Sequence, residues 1–154
     1  MRIEKQKVLK RIRRKRIKKK VKDNMECVNC HKTIPDNKLI GTKNRNHCPY
    51  CLCSMHLDDS VPGDRKSSCK SLMMPIAITF KAPKKNKYPT KNSSRYGEMM
   101  VVHQCSKCGK ISNNRVAADD NPQTILDIFY KTPHSEEEEE EVKRQLYGQT
   151  VFDK

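Results

Sequence analysis

The sequence predicts a small metal-stapled α+β domain with a basic N-terminal tail, on three observations. The chain has 154 residues, 34% of them hydrophobic and 5% aromatic, with no Trp. A single domain of that composition, with a mean hydropathy of -0.92, cannot bury a large apolar core and relies on metal or disulfides instead. Six of the eight cysteines stand in Cys-x-x-Cys pairs, a spacing that lets two thiolates reach one ion. The charge is one-sided: residues 1–22 hold 13 Lys+Arg and one Glu, a net of +12 out of +15. Residues 23–154 carry 20 Lys+Arg against 17 Asp+Glu, about +3.

The cysteines read as zinc ligands rather than disulfides. The basic N-terminus lacks the apolar stretch of a secretory signal, so the expected compartment is the cytoplasm, where thiols stay reduced. No apolar run approaches the roughly 18 residues needed to span a bilayer. No membrane partner is expected.

Three segments follow from composition. Residues 1–24 are the basic tail, with a short apolar stripe at Val8, Leu9 and Ile12 and another at Ile17 and Val21. Self-repulsion keeps such a run unfolded until phosphates neutralise it. Residues 25–132 form the zinc-binding domain, and residues 133–154 an acidic C-terminal helix.

Within the domain, Met25–Pro35 reads as a strand, a knuckle and a second strand. Residues 36–44 are a polar loop. Val61-Pro62-Gly63-Asp64-Arg65 is a turn by composition. The run Leu72–Phe80 reads as a buried strand starting after Pro75. Residues 81–97 form a polar, basic hairpin loop, and Met99–Gln104 a strand. This strand delivers Cys105-Ser106-Lys107-Cys108-Gly109, with Gly where a positive φ is needed. Asn113-Asn114-Arg115 reads as a polar turn. Asn121 then N-caps a helix with Pro122 in its first turn, and Pro133 stops it. Ser135 and Glu138 form a capping box ahead of the Glu136–Glu141 run. Its thin apolar stripe (Val142, Leu146, Tyr147) predicts weak packing, and its acidic run is a docking place for the basic tail.

Eight residues are candidate ligands: Cys27, Cys30, Cys48, Cys51, His56, Cys69, Cys105 and Cys108, enough for two tetrahedral zinc ions. Two groupings fit. In the preferred one, Cys27, Cys30, Cys105 and Cys108 form a zinc-ribbon-like β core, and Cys48, Cys51, His56 and Cys69 an inserted site. In the other, Cys27/Cys30 join Cys48/Cys51, and His56 and Cys69 join Cys105/Cys108. Cys53 reads as a small half-buried apolar residue. His47 suits a hydrogen bond behind the ligands, His103 is a substitute ligand for His56, and His31 and His134 belong on the surface.

Arg45-Asn46-His47-Cys48-Pro49 is the string that gives the RNHCP domain family of small bacterial proteins its name, and the chain resembles that family. The surrounding pattern fits as well: Gly41-Thr42, Pro62-Gly63-Asp64-Arg65, Cys69, Met74-Pro75-Ile76, His103-x-Cys105-x-x-Cys108-Gly109, and Asn114-Arg115-x-Ala117-x-Asp119-Asp120-Asn121-Pro122. The resemblance covers roughly residues 25–130. It implies zinc binding and the limits of the domain, and brings no activity with it. The tail, the acidic helix and Cys53 depart from it.

Charge points to a polyanion. The expected function is zinc-dependent RNA binding in association with the ribosome, with ribosomal RNA as partner, ribosomal proteins as neighbours and no small-molecule substrate. The expected contacts are Lys10, Arg11, Arg13, Arg14, Lys15, Arg16, Lys18, Lys19 and Lys20, with Arg45 from the core. Arg45, Arg65, Arg95 and Arg115 could make planar contacts or instead pair with Asp58, Asp64, Asp119 or Asp120 to fix loops, and Tyr50, Tyr88 and Tyr96 could stack on bases. The rival is a metal-dependent hydrolase or nuclease using His47, Asp58, Asp64, His103, Asp119 and Asp120; capping and ligand support explain those residues more simply. A protein-interaction adaptor is a third reading.

Overall fold

The computed structural model describes residues 25–35, 45–83 and 95–148. The basic tail and its nine candidate contacts lie outside the described residues, as do Tyr88 and most of the 81–97 loop.

The architecture is α+β. Among the described residues six strands come first: β1 (Met25–Glu26), β2 (Thr33–Ile34), β3 (Ser54–Met55), β4 (Leu72–Phe80), β5 (Met99–Cys105) and β6 (Ile111–Arg115). Two helices follow, α1 (Pro122–Phe129) and α2 (Glu136–Tyr147). Among the described strands β1 and β2 pair only with each other, around the first knuckle, while β3-β4-β5-β6 form an antiparallel sheet in that order.

The sheet separates an apolar end from a metal end. Along β5, Met99, Val101, His103 and Cys105 are buried, the period-two pattern of a strand with one face covered. At the apolar end, Met99 and Val101 join Ile78 of β4, Ile125, Ile128 and Phe129 of α1, Val142 of α2, and Leu52. Each such side chain contributes roughly 1.5–3 kcal/mol by burial. At the other end β5 runs into Cys105.

Several expectations need correction. β4 starts at Leu72, before Pro75, and is not buried on both faces: Met74 and Ile76 are exposed. Pro75 is tolerated because β3 pairs only with Leu72 and Met73, so beyond them no described strand pairs with that edge of β4, and the register shifts between Pro75 and Ala77. Residues 113–115 are not a turn but the second half of β6, where Asn114 Nδ2 meets His103 Nδ1 at 3.1 Å.

α1 begins as expected, with Asn121 Oδ1 accepting from Gln123 N and Thr124 N. It ends at Phe129, four positions before Pro133. The Ser135–Glu138 capping box is present. α2 does not pack weakly: Val142 is fully buried, and the Gln145 side chain accepts from Met99 N at 3.0 Å and donates to Gly97 O at 2.9 Å.

Candidate metal centres

The three knuckles share one local design. In each, the amide of the first cysteine donates to the carbonyl five positions later: Cys27 N to Lys32 O at 3.0 Å, Cys48 N to Cys53 O at 2.9 Å, and Cys105 N to Lys110 O at 2.9 Å. A second bond returns to the first cysteine's carbonyl: His31 N to Cys27 O, Leu52 N to Cys48 O and Gly109 N to Cys105 O, all at 2.9–3.0 Å. The residue after each second cysteine has positive φ: His31 at 57°, Leu52 at 59° and Gly109 at 75°. Only Gly109 adopts that conformation without a steric cost. The turn points both sulfurs of a pair the same way, and Tyr50 N donates to Cys48 Sγ at 3.4 Å.

These knuckles build two four-donor clusters. Cys27, Cys30, Cys48 and Cys51 form the first, His56, Cys69, Cys105 and Cys108 the second; within each the donor atoms lie within 4.8 Å of one another. All eight candidate ligands are thus brought together, but in the grouping not preferred from sequence. The knuckles at Cys27 and Cys105 do not share an ion. The reason is the sheet. Met73 stands opposite Cys105 and Met55 opposite Leu72, while His56 N donates to Ser71 O and Ser106 N to Leu72 O, both at 2.9 Å. That network carries His56 and Cys69 to the Cys105 end of β5 and leaves the β1–β2 hairpin to meet Cys48 and Cys51.

Donor chemistry fits zinc. The sulfurs stand 3.6 Å apart in Cys27–Cys51 and Cys30–Cys48 and 3.7 Å in Cys69–Cys105. A disulfide needs about 2.05 Å, whereas Zn–S bonds near 2.3 Å give tetrahedral edges of about 3.8 Å. His56 contributes Nδ1, 3.3 Å from Cys108 Sγ. Each cluster can hold one zinc ion, two in all, and four protein donors leave no position open for water. The surroundings differ: burial pushes the Cys48 thiol up, whereas backbone amides at Cys108 and Lys107 hold Cys105 down to about 7.

Cys53 is buried, more completely than expected, and belongs to neither cluster. Burial raises its thiol to about 12, and its Sγ lies 3.9 Å from Met74 Sδ. His103 is no substitute ligand. Its Nε2–H donates to Leu52 O at 2.6 Å while Nδ1 faces the Asn114 amide, and burial lowers its pKa. His31 is exposed, 3.3 Å from Glu26. His134 is only partly on the surface, its ring 4.3 Å from that of Phe129.

Behind the first cluster lies a buried charged group. Arg45 donates to Asp119 and, at 3.4 Å, to Asp120. Asp120 also meets His47 Nε2 at 2.7 Å and accepts from Ala117 N at 2.7 Å. The Arg45 side chain is only 4% exposed, which takes it out of the expected role of phosphate contact. The pairing ties the segment ahead of Cys48 to the start of α1.

The other carboxylates of the hydrolase reading serve the loop after His56. Asp64 accepts from the amides of Asp59, Ser60, Val61 and Lys66, which hold it well below the usual carboxylate range. Asp58 accepts from Gly63 N and Arg65 N. Arg95 pairs with Glu137 and Arg115 with Glu98. Pairing with Asp119 or Asp120 was the sequence's alternative for Arg45; its burial, and His47 and Ala117 as further partners of Asp120, were not predicted, and the only signal for the Asp58/Asp64 loop was carboxylates at turn positions.

The family model of the RNHCP domain matches residues 22–126. No curated protein and no solved structure matches the chain.

Proposed function

We propose that this chain, which belongs to the RNHCP domain family, is a zinc-binding protein that binds RNA in association with the ribosome, ribosomal RNA being its partner. The observation that carries this reading is the separation of charge: +12 in residues 1–22 against about +3 in the remaining 132. A near-neutral core held by two four-donor clusters is a compact body, and a run of one-signed charge beside it suits phosphate. We read the centre made of two knuckles as the ribbon-like one and both centres as structural, since neither leaves an open position.

Binding measured across a salt series tests the proposal. With about six tail charges on phosphate, affinity falls roughly 10³-fold between 50 and 200 mM salt. Intact protein that purifies without RNA or ribosomal particles at low salt overturns it.

A further inference from the structure

Between the two metal centres lies a cleft of about 820 Å³. Its lining draws on both centres. One stretch of wall is the β1–β2 hairpin, with Met25, Val28 and Ile34; the hairpin pairs with no other described strand and carries Cys27 and Cys30. Another is the loop between the ligands His56 and Cys69, with Leu57, Val61 and Arg65. Ser112 and Asn114 of β6 also line it, as does His47, whose Nδ1 is buried without a hydrogen-bond partner among the described residues.

We propose that this cleft receives an unpaired stretch of RNA. The inference rests on the RNA reading above and adds to it the place where bases, rather than phosphates, are met. Three observations support it. The +12 segment ends three positions before Met25 in the sequence, and Met25 lines the cleft, so RNA held by residues 1–22 is tethered within reach of it. Its walls hold apolar side chains open to solvent: Met25 57%, Val28 56%, Val61 61% and Ile111 49% exposed. A base has an apolar face able to cover them. Asn46 and Asn113 line the cleft, are exposed, and make no side-chain hydrogen bond among the described residues. A side-chain amide sets a donor beside an acceptor, the pattern of a base edge, and in RNA that edge is open only in single strands. An extended polypeptide would use the same apolar walls but gives no reason for a charge of +12 in the sequence just ahead of them.

The test uses the full-length, zinc-loaded chain crosslinked by light to single-stranded RNA carrying thiouridine, with the sites mapped by mass spectrometry. Crosslinks are expected on cleft residues such as Met25, Val61 or Asn113 as well as on the tail. Ile111→Glu and Asn113→Ala, both at exposed positions, should each weaken single-stranded RNA binding about tenfold while zinc content stays at the unaltered level. Crosslinks confined to residues 1–22, with both variants binding like the unaltered chain, overturn the cleft and leave the RNA reading standing. Failure to bind RNA at all overturns both. A copurifying polypeptide crosslinked at Val61 or Ile111 in place of RNA overturns the cleft assignment too.

Discussion

The Nε2–H of His103 donates to the carbonyl of Leu52 at 2.6 Å, joining the strand that enters the third knuckle to the residue that closes the second. Asn114 holds the other ring nitrogen, so the ring is fixed as one neutral tautomer. Burial lowers its pKa. The unfolded chain therefore takes up a proton near the ordinary histidine value of about 6.5 before the folded chain does. The stability that follows from this is fully present above that pH and is lost as pH falls from there through the lowered value of the folded chain. Nitrogen NMR of the imidazoles should show His103 protonated on Nε2 alone at pH 7. A charged His103 ring at that pH would contradict the hydrogen-bond assignment.

Cys69→Ser should release one zinc ion of two. Alkylation followed by mass spectrometry should then find Cys105 and Cys108 newly reactive, with Cys27, Cys30, Cys48 and Cys51 still protected. The opposite pattern, with Cys48 and Cys51 exposed, would mean the clusters are grouped otherwise.

Asp120→Ala should be among the most damaging single changes outside the ligands. It strips Arg45 and His47 of a shared buried carboxylate and leaves Ala117 N unpaired. Breaking a buried charged pair on one side costs about 3–5 kcal/mol. Urea unfolding of the zinc-loaded protein measures it; a loss below about 1 kcal/mol would show that the group is reached by solvent.

Gly109→Ala tests the knuckle backbone. A Cβ there meets no atom within 4 Å, and φ is +75°, so any effect is conformational. The left-handed region costs a residue with a Cβ about 1–2 kcal/mol, which should appear as weaker zinc retention against a competing chelator. His31→Gly should move the opposite way by a similar amount, because the exposed His31 is held at φ 57°.

The knuckles, the caps of both helices and the eight ligands were legible because each is a local pattern. Asn121 caps α1 and Ser135 caps α2 through atoms no more than three positions away. The grouping of the clusters was not legible, since it depends on the register of β4 against β5, which sets Met73 against Cys105 across a connection of basic, aperiodic sequence. β6 was missed for a related reason: Asn113 and Asn114 favour turns in isolation, and only the buried His103 ring gives Asn114 a reason to lie on a strand. Arg45 read as a phosphate contact because Asp119 and Asp120 lie more than seventy positions along the chain.

Each knuckle closes its two turn bonds within its own six residues. Three such claws, alike in bite, compete for metal before any strand has paired, and chelation alone does not say which two should meet. Order of events then matters. Zinc caught early can bridge the wrong claws, and the chain recovers only if that ion can leave again before the sheet closes over it. Refolding should accordingly run faster with weakly buffered, exchangeable zinc than with a saturating pulse of the free ion.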